Sequence, residues 1–139
     1  MTYQDVVRSI GLNIITRTPL ELVRVARQGI PRKAVDTLAN NLNMTVSELS
    51  KYLHVSERTL HRYPAAKVLP PDLSDRVLQI AKIYARCLEV FEDNNNAANW
   101  LKQSNIAFGK IPPVELLDTS TGIEMVFDEL GRIEYGVIS

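Results

Sequence analysis

The sequence predicts an all-α protein, and three observations carry that reading. Apolar residues recur at three- and four-residue spacing through most of the chain, most plainly from Leu73 to Phe91. The stretch Thr45–Tyr63, TVSELSKYLHVSERTLHRY, has the spacing, cap and turn of two short helices joined as a helix-turn-helix. No run alternates apolar and polar residues as a half-buried strand would.

Taken in order, Thr2–Ile15 sets Val6, Val7, Ile10 and Ile14 at helical spacing, with Gly11 interrupting, so a short helix followed by a loop is expected. Thr18 then caps a helix that has Pro19 at its first position. Leu20, Val23 and Ala26 or Arg27 continue it, and Gly29 ends it. A further helix runs from Ile30–Pro31 to about Leu42, with Ala34, Val35, Leu38 and Leu42 inward.

In the helix-turn-helix, Leu49 and Leu53 lie one turn apart and share a buried face. Ser50 is small where the two helices cross. His54 and Val55 form the turn, and the position of His54 calls for a positive φ, which glycine takes more cheaply than histidine. Ser56 is an N-cap for the second helix, and Leu60 points inward. This leaves Ser56, Glu57, Arg58, Thr59, His61 and Arg62 as the candidate DNA-contacting set. Pro64 closes that helix early, and Ala65–Pro71 is a loop.

Asp72–Glu92 is the longest helix, with Leu73, Val77, Ile80, Ala81, Tyr84, Leu88 and Phe91 as its apolar stripe. Apolar positions of this helix and of its C-terminal neighbours are also the expected seam of a homodimer. Asp93–Asn96 reads as a turn-rich break. Ala97–Lys102 is a short helix anchored by Trp100 and Leu101. Ile106–Pro113 is a loop, and Val114–Leu117 one helical turn. Asp118–Thr121 caps a last helix with Ile123, Val126, Phe127 and Leu130 inward, and Gly131 is expected to end or kink it. The chain closes as RIEYGVIS.

The 139 residues suit one compact unit or two small ones, divided here as 1–68 and 69–139. The net charge of zero conceals an asymmetry. Residues 1–68 carry ten basic and five acidic side chains, while residues 69–139 carry six basic and eleven acidic ones. A basic half with a helix-turn-helix suits a polyanion, and an acidic half suits a protein partner. No apolar run is long enough to span a membrane and no signal-peptide pattern opens the chain, so a cytoplasmic protein without membrane contact is expected. Cys87 stands alone in an apolar helical run and reads as a buried thiol. The two histidines, His54 and His61, could be drawn with Glu57 as metal ligands, but no fourth ligand follows at metal spacing. With no glycine-rich phosphate loop and no paired acids, neither catalytic activity nor a cofactor is expected.

From Ser74 onward the residues resemble a known family. SDRVLQIAKIYARCLEVF, AANWL and IPPVELLDTSTGIEMVFDELGRIEYGVIS are similar to the antitoxins of the Xre/MbcA/ParS type. The marks are Ser74-Asp75-Arg76, Trp100-Leu101, Pro112 with Glu115-Leu116-Leu117, Gly122, and Arg132-Ile133-Glu134-Tyr135-Gly136. The helix-turn-helix, with Ser56–Arg62 as S-x-x-T-L-x-R, matches as well, so the similarity runs from about Gly29 to Ser139. The loop Asn105–Ile111 departs from the pattern, with Phe108 where a small residue is common.

The resemblance implies an Xre-like DNA-binding domain followed by a small helical toxin-binding domain. It implies a homodimer that blocks a cognate RES-domain toxin acting on NAD and represses its own operon at operator DNA. It further implies that the C-terminal segment covers the toxin's cleft, which makes Arg132, Glu134, Tyr135, Gly136, Val137, Ile138 and Ser139 the candidate toxin-binding set. Glu134, Tyr135 and the terminal carboxylate could then imitate phosphate charge and base stacking. A stand-alone transcriptional regulator with a dimerisation or sensor domain is the alternative.

Overall fold

The computed structural model describes residues 1–136. Eight α-helices follow one another: α1 (Tyr3–Arg8), α2 (Pro19–Gln28), α3 (Lys33–Asn41), α4 (Val46–Leu53), α5 (Glu57–His61), α6 (Pro71–Phe91), α7 (Asn94–Lys102) and α8 (Ser120–Glu134). Two 3₁₀ turns, Ile106–Phe108 and Pro113–Leu116, join α7 to α8. The expected all-α class is what is observed.

Most helix starts are dictated locally. Thr2, Thr18, Thr45, Ser56 and Thr119 each accept a backbone N–H at the mouth of a helix, as short hydroxyl side chains do when the first amides lack partners. Asp93 does the same for α7, accepting from the N–H of Asn96. The asparagine run expected to break the chain is therefore the first turn of a helix. Competition between asparagine side chains and the backbone is settled by the cap and by the burial of Ala97, Ala98 and Leu101 behind it.

The core forms around α6, which packs against α1, α2, α4, α7 and α8. Its buried residues cover a broad face of the helix and include Val77, Leu78, Ile80, Ala81, Ile83, Tyr84, Ala85 and Cys87, while Asp75, Gln79, Lys82, Arg86 and Glu89 line the opposite, polar face. Cys87 is a free buried thiol, and burial pushes its pKa up to about 12. Within the stripe expected at a homodimer seam, Leu73, Val77, Ile80, Ala81 and Tyr84 are buried against the chain's own helices, while Leu88 and Phe91 are partly buried.

Packing settles two points that the spacing left open and corrects one expectation, the stop or kink at Gly131. On α2 the inward residues are Leu22 and Val25, while Leu20 and Val23 are exposed. The helix carries two apolar stripes, and only docking on α6 selects between them. Leu12 rather than Ile14 turns into the core after α1. Gly131 neither ends nor kinks α8, which continues to Glu134 because Val126 and Leu130 hold it on the core. The intrinsic cost of glycine in a helix, about 1 kcal/mol, is small beside that packing.

Between α2 and α3 the chain is extended rather than helical. Pro31 forms one antiparallel bridge with Val68, and the N–H of Leu69 donates to the carbonyl of Ile30 (2.8 Å). Ser74, fully buried, ties this crossing to α6: its hydroxyl accepts from the N–H of Ile30 (3.0 Å) and donates to the carbonyl of Leu69 (3.2 Å). Gly29 permits the close approach, since a Cβ there would lie 2.3 Å from the Leu69 carbonyl oxygen.

Candidate functional site

The helix-turn-helix is α4, a tight turn and α5. Thr45 and Glu48 form a reciprocal capping box at the start of α4. Leu49 and Leu53 are buried, and Ser50 is buried where the helices meet. His54 has φ 56° and ψ 40°, the left-handed conformation its position called for, and its N–H donates to the carbonyl of Ser50. Val55 packs against the core, so the turn is pinned on both sides.

The predicted contact residues divide by environment. Arg58, His61 and Arg62 are exposed on the outer side of α5, opposite buried Leu60. His61 Nε2 lies 3.1 Å from Glu57 Oε1, and this hydrogen bond is the main cause holding the Glu57 carboxyl below its ordinary value. Arg58 and Arg62 have no ion-pair partner among the described residues, so both guanidinium forks face solvent unneutralised. Ser56 and Thr59 are engaged with each other: the Ser56 hydroxyl accepts from the N–H of Thr59 (3.0 Å) and donates to its Oγ1 (2.8 Å). They shape the helix start, while the arginines present the charge.

The turn also reaches the other end of the molecule. His54 Nε2 sits 2.6 Å from the carbonyl oxygen of Asp118, next to the cap of α8. Nothing in the sequence signals this contact, which spans 64 residues.

At the C-terminus, Arg132 and Glu134 belong to α8 rather than to a departing tail. Arg132 Nε bonds Glu129 Oε1 at 3.0 Å. Arg86 of α6 grips Glu134 with two parallel hydrogen bonds of 2.8 Å each, and this holds the Glu134 carboxyl below its ordinary value. Arg86 also bonds Glu89, which in turn receives the N-terminal ammonium. Glu134 is therefore not a free acid. Its work in this structure is to fasten the end of α8 to α6.

The chain leaves the helix only after Tyr135, at Gly136, which has φ +63°. Tyr135 is 77% exposed and does not pack on Phe127 or Trp100. Trp100 stacks obliquely on Phe91 instead, with ring centroids 5.5 Å apart. Val137, Ile138 and Ser139 lie outside the described residues.

One prominent feature was missed in the sequence. Ile106 is 89% exposed at the tip of a rigid 3₁₀ turn. The Asn105 side chain accepts from the N–H of Ala107 (2.9 Å), and the N–H of Lys110 donates to the carbonyl of Asn105 (2.8 Å). Phe108 is buried beneath, so the residue that departs from the family pattern is the anchor of the turn. The sequence carried no signal for it, since Ile106 shares its loop with Phe108 and Ile111 and nothing local says which of them is buried.

Among the described residues no three His, Cys, Asp or Glu side chains come together as a metal site requires, and no helix is long and apolar enough to cross a membrane.

Two family profiles match the chain. Residues 21–82 match the profile of the antitoxin Xre-like helix-turn-helix domain. Residues 88–136 match that of the antitoxin Xre/MbcA/ParS C-terminal toxin-binding domain. Among the similar proteins is an Antitoxin Xre of Photorhabdus laumondii, 26% identical over 117 residues, which are 83% of this chain and 79% of that one. An Antitoxin Xre of Yersinia enterocolitica is 26% identical over 134 residues, 95% of this chain and 89% of the relative. A Prs ADP-ribosylating antitoxin of a Sphingobium species is 23% identical over 132 residues, 88% and 83% of the two chains.

Proposed function

Because the chain belongs to the Xre/MbcA/ParS antitoxins, with a helix-turn-helix domain and a toxin-binding domain, we propose that it neutralises a RES-class, NAD-acting toxin and represses its own operon. Neutralisation is assigned to the C-terminal end, which covers the toxin's cleft. The observation that carries this is Tyr135: an aromatic ring 77% exposed, set at the end of a helix that Arg86 and Glu134 hold in place. Aromatics that enter a dry pocket carry much of an interface's energy, and the phenolic O–H can pair there as well. Fixing the helix beneath it lowers the ordering cost of binding.

Gly136, Val137, Ile138 and Ser139, which follow that ring in the sequence, are assigned as the inserted segment. Arg132 and Glu134 orient it. An NAD-acting partner is also supported by the name of the Sphingobium relative, since ADP-ribosylation consumes NAD. Repression is assigned to Arg58, His61 and Arg62, with Arg58 or Arg62 on a guanine edge or a phosphate.

Deleting Tyr135–Ser139 and, separately, replacing Arg58 and Arg62 by alanine tests both assignments in cells that co-express a RES-type toxin. The truncated protein is expected to keep its fold and operator binding yet fail to protect cellular NAD. The double alanine variant is expected to protect NAD while losing operator affinity by about 1–3 kcal/mol for each base contact removed. Full protection by the truncated protein refutes the first assignment, and an unchanged gel shift refutes the second.

A further inference from the structure

We propose that Lys33 and Lys67 form a phosphate-binding rim beside the recognition helix, holding the DNA backbone and reading no bases. The proposal rests on the DNA-binding reading of the helix-turn-helix, and it adds a site outside Ser56–Arg62. Its physical basis is the crossing of two basic stretches that lie far apart in the sequence. Neither Leu22–Val35 nor Arg58–Pro71 contains an acidic residue, while together they carry seven lysines and arginines.

The N–H of Lys67 donates to the carbonyl of Pro64 (2.8 Å) and turns the chain back after α5. The returning segment pairs with the start of α3. The N–H of Arg32 donates to the carbonyl of Lys67 (2.8 Å), and that of Lys33 to the carbonyl of Ala65 (2.9 Å). Lys33, the first residue of α3, is thereby fixed against a residue three positions beyond Arg62. Lys33 and Lys67 are both exposed, and neither has an ion-pair partner among the described residues. Arg32 is different. Its guanidinium lies 3.3 Å from Asp36 and is largely covered, so it braces the crossing and adds no free charge.

α5 is too short to hold a duplex by itself. Its five residues span about 7.5 Å. Only Arg58 and the capping Arg62 present unpaired charge there, since His61 is engaged by Glu57. Affinity for DNA follows the number of phosphates neutralised, and at least half of the hydrogen bonds at such interfaces go to phosphate and sugar. Those contacts must come from groups around the recognition helix. The crossing places two cations there on backbone hydrogen bonds, so their main chain loses little freedom on binding. Lysine suits the task. A compact ammonium on a flexible stem follows a phosphate whatever the base, whereas the planar fork of arginine matches a guanine edge.

Fluorescence anisotropy of the full chain between about 50 and 200 mM salt tests the proposal, on a duplex carrying the promoter of its own gene and on a scrambled duplex. Lys33→Ala/Lys67→Ala is expected to reduce the slope of log K against log salt by about 2, since each lost phosphate contact removes about 0.9. Both duplexes should weaken by the same factor, about tenfold or more at the low-salt end, with the ratio between them unchanged. Lys33→Arg/Lys67→Arg should keep the slope of wild type. Arg58→Ala/Arg62→Ala, by contrast, should lower the ratio. Circular dichroism checks that the alanine pair is folded, and Lys67→Ala alone, expected to remove about 0.9 of slope, decides the matter if the pair is not. A folded variant with an unchanged slope overturns the proposal. A loss confined to the promoter duplex assigns the lysines to bases and overturns it as well. If wild type does not prefer the promoter duplex, the repressor reading fails while the slope on the scrambled duplex still decides the rim. A wild type that binds neither duplex overturns both.

Discussion

Gly122→Ala should destabilise this protein, although alanine is the better helix former. Gly122 lies in the first turn of α8, its N–H donating to the Thr119 hydroxyl at 3.0 Å. There α8 passes directly over the 3₁₀ turn Pro113–Leu116. A Cβ at position 122 would lie 1.8 Å from the carbonyl oxygen of Leu116 and 2.7 Å from its carbonyl carbon. The obstacle is backbone, so no rotamer change relieves it. The two segments must part by more than about 1 Å, and α8 must lift from the core. Overpacking of this kind costs about 1–3 kcal/mol, and a rigid obstacle puts this site at the upper end. Helix propensity returns at most about 1 kcal/mol. The net loss of about 2 kcal/mol lowers the melting temperature by roughly 5–10 °C in a chain of this size. Gly131→Ala is the internal control. It sits in the same helix, and nothing lies within 4 Å of its Cβ position. That change should stabilise by up to about 1 kcal/mol. Thermal unfolding followed by circular dichroism reads both variants. A Gly122→Ala protein as stable as wild type, or two shifts of the same sign, would refute the reasoning. In the folded fraction, a lifted α8 should weaken toxin capture more than operator binding.

Three further outcomes are expected. Ser74→Ala strands the buried N–H of Ile30 and should cost about 1–3 kcal/mol in urea unfolding, whereas a loss below about 0.5 kcal/mol would show that another group satisfies that amide. Glu134 has a folded pKa below its ordinary 4.5, so the stability it adds is present above about pH 4.5 and is lost as pH falls through the lowered value; Glu134→Gln should flatten that part of the acid-unfolding profile, and an unchanged profile would show that the Arg86 pair does not couple to folding. Cys87, its thiol pushed up to about 12, should resist a disulfide reagent at pH 8 until the protein is unfolded in guanidinium, so rapid labelling of the native protein would contradict its burial.

The features that the sequence by itself determined are those that neighbouring residues control. Threonine and serine caps, Pro19 at the head of α2, the left-handed turn at His54 and the inward spacing of Leu49, Leu53 and Leu60 all act within one or two helical turns. That is why the helix-turn-helix and the outward placement of Arg58, His61 and Arg62 were legible without coordinates. What only the tertiary structure decided involves partners far apart in the chain. Periodicity gave Leu20, Val23 and Ala26 helical spacing on α2, but it is Leu22 and Val25 that meet the core. It marked a long amphipathic α6 but not that five helices would pack against it. A weak helix former at Gly131 suggested a stop, and packing of the flanking leucine and valine carried the helix three residues further. The Arg86–Glu134 pair joins residues 48 apart and the His54–Asp118 contact residues 64 apart. Such pairings depend on how helices dock, because charge and hydrogen-bonding capacity are visible in a side chain while the group that will face it is not.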